Sequence, residues 1–108
     1  MDRIYSLLGL ATRAGKTQSG GFLTEETVRA GKAALVIIAE DAKKNTVKTI
    51  TDKCEFRNVP YRTFGTKEAL GSAMGKETRS CVAITDEGFA SGLIKLIDSE
   101  MRGNNGKN

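Results

Sequence analysis

The sequence has no histidine and no tryptophan, and only one proline and two cysteines among 108 residues. Without histidine, the usual neutral-pH base and the commonest metal ligand are both missing. With no tryptophan and aromatics at 6%, an aromatic platform that stacks successive bases of a single strand is disfavoured. Cys54 and Cys81 lack metal-ligand spacing and read as small buried hydrophobes, with a disulfide the lesser alternative. No apolar run approaches the length of a membrane span. Met1-Asp2-Arg3 leads straight into an amphipathic pattern without the marks of a signal peptide, so the cytoplasm is the expected location. No cofactor and no metal is expected.

What is present leans basic. Lysine and arginine outnumber acids 17 to 13, for a net charge of +4 and a pI near 9.2. That balance favours an acidic partner, of which RNA is the commonest. The length suits one domain, expected over residues 1–102, with 103–108 an apolar-free, disordered tail.

Gly31-Lys32-Ala33-Ala34-Leu35-Val36-Ile37-Ile38-Ala39-Glu40-Asp41-Ala42 carries the most information. An apolar run at 34–39 between a glycine and two acids predicts a strand buried on both faces. Cys81 to Thr85 predicts a second, central strand. Helices are expected from Ile4, Leu7, Leu8 and Ala11 (Asp2 as cap, Gly15 as stop), and from Gly20 or Gly21 to Ala30 on a weak stripe of Leu23, Thr27 and Val28. Others follow from residue 44 to Arg57, from the Thr66 cap to Gly75, and after Asp86 on Phe89, Leu93, Leu96 and Ile97. Short strands are expected at 16–19 and at Tyr61 to Phe64. The alternation implies an α/β fold, a three-layer α/β/α sandwich around a small parallel or mixed sheet.

Several motifs need weighing. Ala14-Gly15-Lys16-Thr17 imitates the end of a Walker loop, but Leu10 stands where the first glycine belongs, and a helix rather than a strand precedes it. Lys16 is left as a contributor of surface charge. Ser19-Gly20-Gly21 opens a helix, where glycines allow another backbone to approach and free N–H groups attract phosphate. The plainer reading is a flexible turn capped by Ser19. Glu40-Asp41 and Asp86-Glu87 read as helix caps, since no nucleophile, base or ligand set accompanies them and no enzyme is expected. Gly75-Lys76-Glu77-Thr78-Arg79-Ser80 should lie near the Ser19–Gly21 turn at one end of the sheet, two glycine-containing basic loops suited to a nucleic-acid backbone.

The Gly31–Ala42 segment, Asn58-Val59-Pro60-Tyr61, Lys67-Glu68-Ala69-Leu70-Gly71 and Ala83-Ile84-Thr85-Asp86-Glu87-Gly88 together resemble a ribosomal-protein superfamily of kink-turn RNA binders. Ile50-Thr51-Asp52-Lys53-Cys54 and Ile84-Thr85-Asp86-Glu87-Gly88-Phe89-Ala90 resemble its short bacterial, YlxQ-like branch. The likeness runs colinearly over residues 2–98. It implies a four-stranded mixed sheet, a cytoplasmic and often ribosome-associated protein, and binding rather than catalysis. Structured RNA, ribosomal RNA included, and ribosomal or transcription proteins are the implied partners. Family members grip bent RNA through the turn opening the second helix and the loop before the last strand, here Ser19 to Glu26 and Gly75 to Ser80.

The best-known binders place an Asn-Glu pair and a Lys after the turn glycine to read sheared G·A pairs, whereas this chain has Phe22, Leu23 and Glu26 there. From the two loops and the basic residues beside them, the expected RNA contacts are Lys16, Ser19, Gly20, Gly21, Phe22, Lys43, Lys44, Gly75, Lys76, Thr78 and Arg79. Phe22 is assigned either to stacking on an unpaired base or to the core. A different class of function, a protein-interaction module on a ribosome or transcription complex, would use Phe22 and Leu23 as an exposed patch.

Overall fold

Leu35, Val36, Ile37 and Ile38 are all buried, and they feed two different cores. Successive side chains of a strand point to opposite faces, so Leu35 and Ile37 need one cover and Val36 and Ile38 another. The computed structural model describes residues 2–106 and supplies both covers. Its elements are α1 (Arg3–Arg13), β1 (Thr17–Ser19), α2 (Gly21–Arg29), β2 (Leu35–Ile38), α3 (Lys44–Arg57), β3 (Tyr61–Thr63), α4 (Lys67–Ala73), β4 (Cys81–Ile84) and α5 (Glu87–Gly106).

The four strands lie in the order β1-β4-β2-β3. β4 is antiparallel to both neighbours and β2 is parallel to β3, so the sheet is mixed. On one face, Ile4 and Leu8 of α1, Leu70 of α4 and Leu93 and Ile97 of α5 pack on Leu35, Ile37, Val82 and Ile84. On the other, Val28 of α2 and Ile50 and Cys54 of α3 pack on Val36, Ile38, Cys81 and Ala83. Each such aliphatic side chain contributes about 1.5–3 kcal/mol on burial. The expected three-layer α/β/α sandwich is the fold.

Local signals set most boundaries. Asp2 Oδ1 accepts from Ile4 N at 3.0 Å, Thr66 Oγ1 from Ala69 N at 3.1 Å and Asp86 Oδ2 from Phe89 N at 2.9 Å. Asn58 ends α3 with a left-handed φ of 60°, a conformation asparagine tolerates.

Two expectations shift. In α2 the buried positions are Thr24, Thr27 and Val28, while Leu23 stands outside at 45% exposure. The threonines enter the core because their hydroxyls are satisfied: Thr24 donates to Gln18 O at 3.3 Å and Thr27 to Leu23 O at 2.7 Å. α5 runs on to Gly106, through part of the expected 103–108 tail. Lys107, Asn108 and Met1 lie outside the described residues. No helix among the described residues is long and apolar enough to cross a membrane.

Candidate nucleic-acid interface

The sheet's directions place several loops together. β1 and β2 oppose β4, and β3 follows β2. The carboxyl ends of β1, β2 and β3 therefore share one end with the start of β4. The segments at that end are Ser19–Gly21, 39–44, 64–67 and 76–80. Hydrogen bonds knit them into one surface. Gly20 N donates to Cys81 O at 2.9 Å, Ala39 N to Ser80 O at 2.8 Å, Glu40 N to Gly65 O at 2.7 Å and Arg79 N to Lys67 O at 3.0 Å.

The two loops singled out in the sequence meet directly. Arg79 Nε donates to Ser19 Oγ at 3.0 Å, and Arg79 Nη1 to Thr78 O at 3.0 Å. Ser19 is thereby withdrawn from the capping role expected of it. The N-cap of α2 is Gly20, with no side-chain cap bond. Its φ of 96° lies where only glycine sits without strain, and the space around Gly20 and Gly21 is open. The N–H groups of the first turn of α2 are left without a capping side chain.

α3 starts in the same way. Its N-cap is Lys43, again without a side-chain cap, and no acid lies in its first turn. The expected capper, Asp41, instead accepts from Lys67 N at 2.8 Å and so serves α4. The chain turns away between Ala39 and Lys43, which carries that carboxylate past α3. Two lysines, Lys43 and Lys44, then stand at the positive end of a helix dipole, where each cation costs about 0.3–1 kcal/mol.

Part of the positive charge is paired within the fold. Arg29 pairs with Glu25 and Glu26, Lys48 with Asp52, Lys53 with Glu25 and Arg62 with Asp98. The exposed Lys43, Lys44 and Lys76 are in no ion pair among the described residues. Glu26, whose charge opposes phosphate, is held by Arg29 at 2.7 Å.

The other sequence candidates divide. Gly75 ends α4 with φ 70° and is exposed, as are Lys76 and Thr78. Phe22 is 74% exposed and outside both cores, which removes the core alternative for it. Lys16 is not brought to this end. Its carbonyl accepts from Thr85 N, beyond the finish of β4, so the length of β1 separates it from Ser19. Sequence reasoning gives Lys67 no place at the interface and reads Asp41 only as a local cap. Lys67, directly behind the Thr66 cap, could have been noticed there. The Asp41 bond spans 26 positions and has no local signal.

Both cysteines are buried and free. Burial is the main cause that pushes the Cys54 thiol up to about 11, so Cys54 stays a thiol at neutral pH. Among the described residues no group of three or more Cys, Asp or Glu could hold a metal ion.

The chain and its fold have known relatives. The family model described as the ribosomal protein L7Ae/L30e/S12e/Gadd45 family matches residues 2–94. The RNA-binding protein YlxQ of Bacillus subtilis (strain 168) is 48% identical over 94 residues, 87% of this chain and 94% of its own. A protein of unknown function from Bacillus halodurans superposes with a TM-score of 0.88 at 37% identity, covering 91% of this chain and 99% of its own. The Giardia lamblia 15.5kD RNA binding protein superposes with a TM-score of 0.76 at 26% identity, covering 88% and 82%. The relatives that carry a functional name are RNA-binding proteins, not enzymes. A match across nearly the whole sandwich, loops included, places this chain in the ribosomal protein L7Ae/L30e/S12e/Gadd45 family, in its YlxQ-like branch.

Proposed function

We propose that this protein binds structured RNA in the cytoplasm, in association with the ribosome or translation, through the 19–26 turn and the 75–80 loop. The observation that carries the reading is the 3.0 Å bond from Arg79 to Ser19, which holds the two loops as one surface. Lys43, Lys44 and Lys76 surround that surface without ion pairs among the described residues. The names of the Bacillus and Giardia relatives support the same ligand class.

The polar residues that would read sheared G·A pairs are replaced by Phe22, Leu23 and Glu26. Recognition then rests on phosphate contacts and on the shape of a non-helical RNA site. A chemical-shift titration with a kink-turn RNA and a straight duplex of equal length tests this. Shifts confined to 19–26 and 75–80 with the bent RNA support the reading, and equal diffuse shifts with both leave only electrostatic attraction. With about four phosphate contacts, affinity should fall by roughly three to four decades per tenfold rise in salt. A salt-independent affinity would overturn it.

A second reading has one observation in its favour. Phe22 and Leu23 are 74% and 45% exposed side by side, as a protein-docking patch would be. The Phe22→Ala, Leu23→Ala double variant separates the two. Loss of a ribosomal or transcription protein from the complex, with RNA affinity intact, favours docking.

A further inference from the structure

Four of the six aromatic side chains pack in or against the two cores, and Phe56 and Phe22 do not. Tyr5 packs on Phe64 with ring centroids 5.3 Å apart and planes tilted by 48°, against the α1/α4/α5 core. Phe89 packs against the same core. Tyr61 packs on the opposite core, and its hydroxyl donates to Glu55 at 2.7 Å. Phe56, 81% exposed, lies in the last turn of α3 with the Arg57 guanidinium 5.7 Å from its ring. It is about 18 Å along the helix from the loops of the interface.

Phe22 alone stands at the interface end, with three quarters of its surface in water and no partner in either core. It is the second residue of α2, directly behind Gly20 and Gly21, where nothing lies within 4 Å of an added Cβ. At helical spacing it shares the outward stripe with Glu26 and Arg29, while Thr24 and Val28 face the sheet. A polar residue there would cost the fold nothing, so packing gives no reason for the ring.

We infer that Phe22 determines specificity for RNA carrying an unpaired, extruded base, which stacks on its exposed ring while the open Gly20-Gly21 turn admits the sugar–phosphate backbone. This rests on the RNA reading above and narrows it to a ligand class. An aromatic face accepts any base but requires one that is out of the helix, since bases within a stack present only their edges. The missing polar readers at Phe22 and Leu23 are then a change in recognition mode, from base edge to base face. Arg29 holds Glu26 beside this stripe, so its carboxylate is not left free against the nucleotide.

The test uses two RNA hairpins that differ by one bulged nucleotide. The wild-type protein should bind the bulged hairpin about 5- to 150-fold more tightly, the range that one base–aromatic stack supplies. Phe22→Ala should bring that ratio close to one, and Phe22→Trp should restore it. In the complex, the Phe22 ring protons should move upfield under the ring current of the base. A thermal melt of each variant confirms that it folds, as expected for an exposed position.

Wild-type protein that binds both hairpins equally overturns the stacking proposal and leaves RNA binding standing. So does a bulge preference that survives Phe22→Ala, or ring protons that do not move. Binding to neither hairpin at low salt overturns the RNA reading and this proposal with it. Loss of a protein partner as the sole effect of Phe22→Ala hands the residue to the docking reading.

Discussion

The two layers of helices begin in opposite ways. Beneath one face of the sheet, α1, α4 and α5 are each capped by a side-chain oxygen, from Asp2, Thr66 and Asp86. Over the other face, α2 and α3 start at Gly20 and Lys43 with no side-chain cap and no acid in the first turn. The first pattern is what stability selects, because an oxygen claims the orphan N–H groups and complements the dipole. The second forgoes that stabilisation twice, at the end where the two candidate RNA loops converge. Uncapped starts flanked by unpaired lysines leave donors and positive charge to an outside ligand. The difference separates a face built for the fold from one kept open for binding.

The sharpest way to break the contrast is at the point where the two regions join. Gly71 of α4 lies under the 75–80 loop, and a Cβ there would run into the backbone carbonyl of Glu77. Lys76 N donates to Gly71 O at 2.8 Å, which fixes the loop to the helix. Backbone cannot step aside as a flexible side chain can. Gly71→Ala should cost about 1–3 kcal/mol, the usual range for overpacking, seen as a lower urea midpoint. The loop displacement should also weaken RNA binding, which makes this the one change expected to damage both regions together.

Changes confined to one layer should separate stability from binding. Asp86→Ala removes the cap of α5 and should cost about 1 kcal/mol by urea titration, with RNA affinity unchanged. Lys43→Ser should do the reverse. Lys43 has φ −64° and ψ 148°, an extended N-cap conformation that serine fills readily. The new hydroxyl claims an orphan N–H, and a cation leaves the positive end of the dipole. Stability should rise by about 0.5–1 kcal/mol. The slope of log affinity against log salt should shrink by about 0.7–0.9, one phosphate contact. A gain in stability without that loss would remove Lys43 from the interface.

How much of this was legible in the sequence follows from how far each interaction reaches. The buried strand and the caps at Asp2, Thr66 and Asp86 depend on neighbours within a few residues, so pattern alone locates them. Ser19 read as a cap because serine before a helix usually is one; its actual partner, Arg79, lies 60 residues away. Asp41 read as a cap for α3 and serves α4 through a bond across the fold. Of the α2 stripe, Thr27 and Val28 are buried and Leu23 is not; Thr24 takes an inner position with its hydroxyl on Gln18 O, which no periodicity rule registers. Lys16 and Ser19 are both expected RNA contacts, although β1 sets them at opposite ends. The position of Phe22 was plain from the sequence, but its freedom from both cores was not.

The smallest effect concerns the capped layer, where Arg62 of β3 holds Asp98 of α5. Arg62 Nε and Nη2 donate to the two carboxylate oxygens at 2.7 and 3.1 Å. The hydrogen bond from Arg62 is the main cause that lowers the Asp98 carboxyl from its ordinary 3.8. A carboxyl lowered in the folded state contributes stability that is complete above its unfolded value. That contribution is lost as pH falls through the folded one. Acid below about pH 4 should therefore loosen the tie between β3 and α5 more than the α2/α3 layer, whose cross-helix ion pair, Lys53 with Glu25, is the longer contact at 3.6 Å. The pair is partly exposed, so the change is slight and best seen by hydrogen exchange. Protection of the α5 amides should fall below pH 4 before that of α3, and Asp98→Asn should abolish the order. If α3 opened first in the wild type, the layer with uncapped helix starts would be the weaker one under acid as well. The contrast between the faces would then be one of stability at every pH.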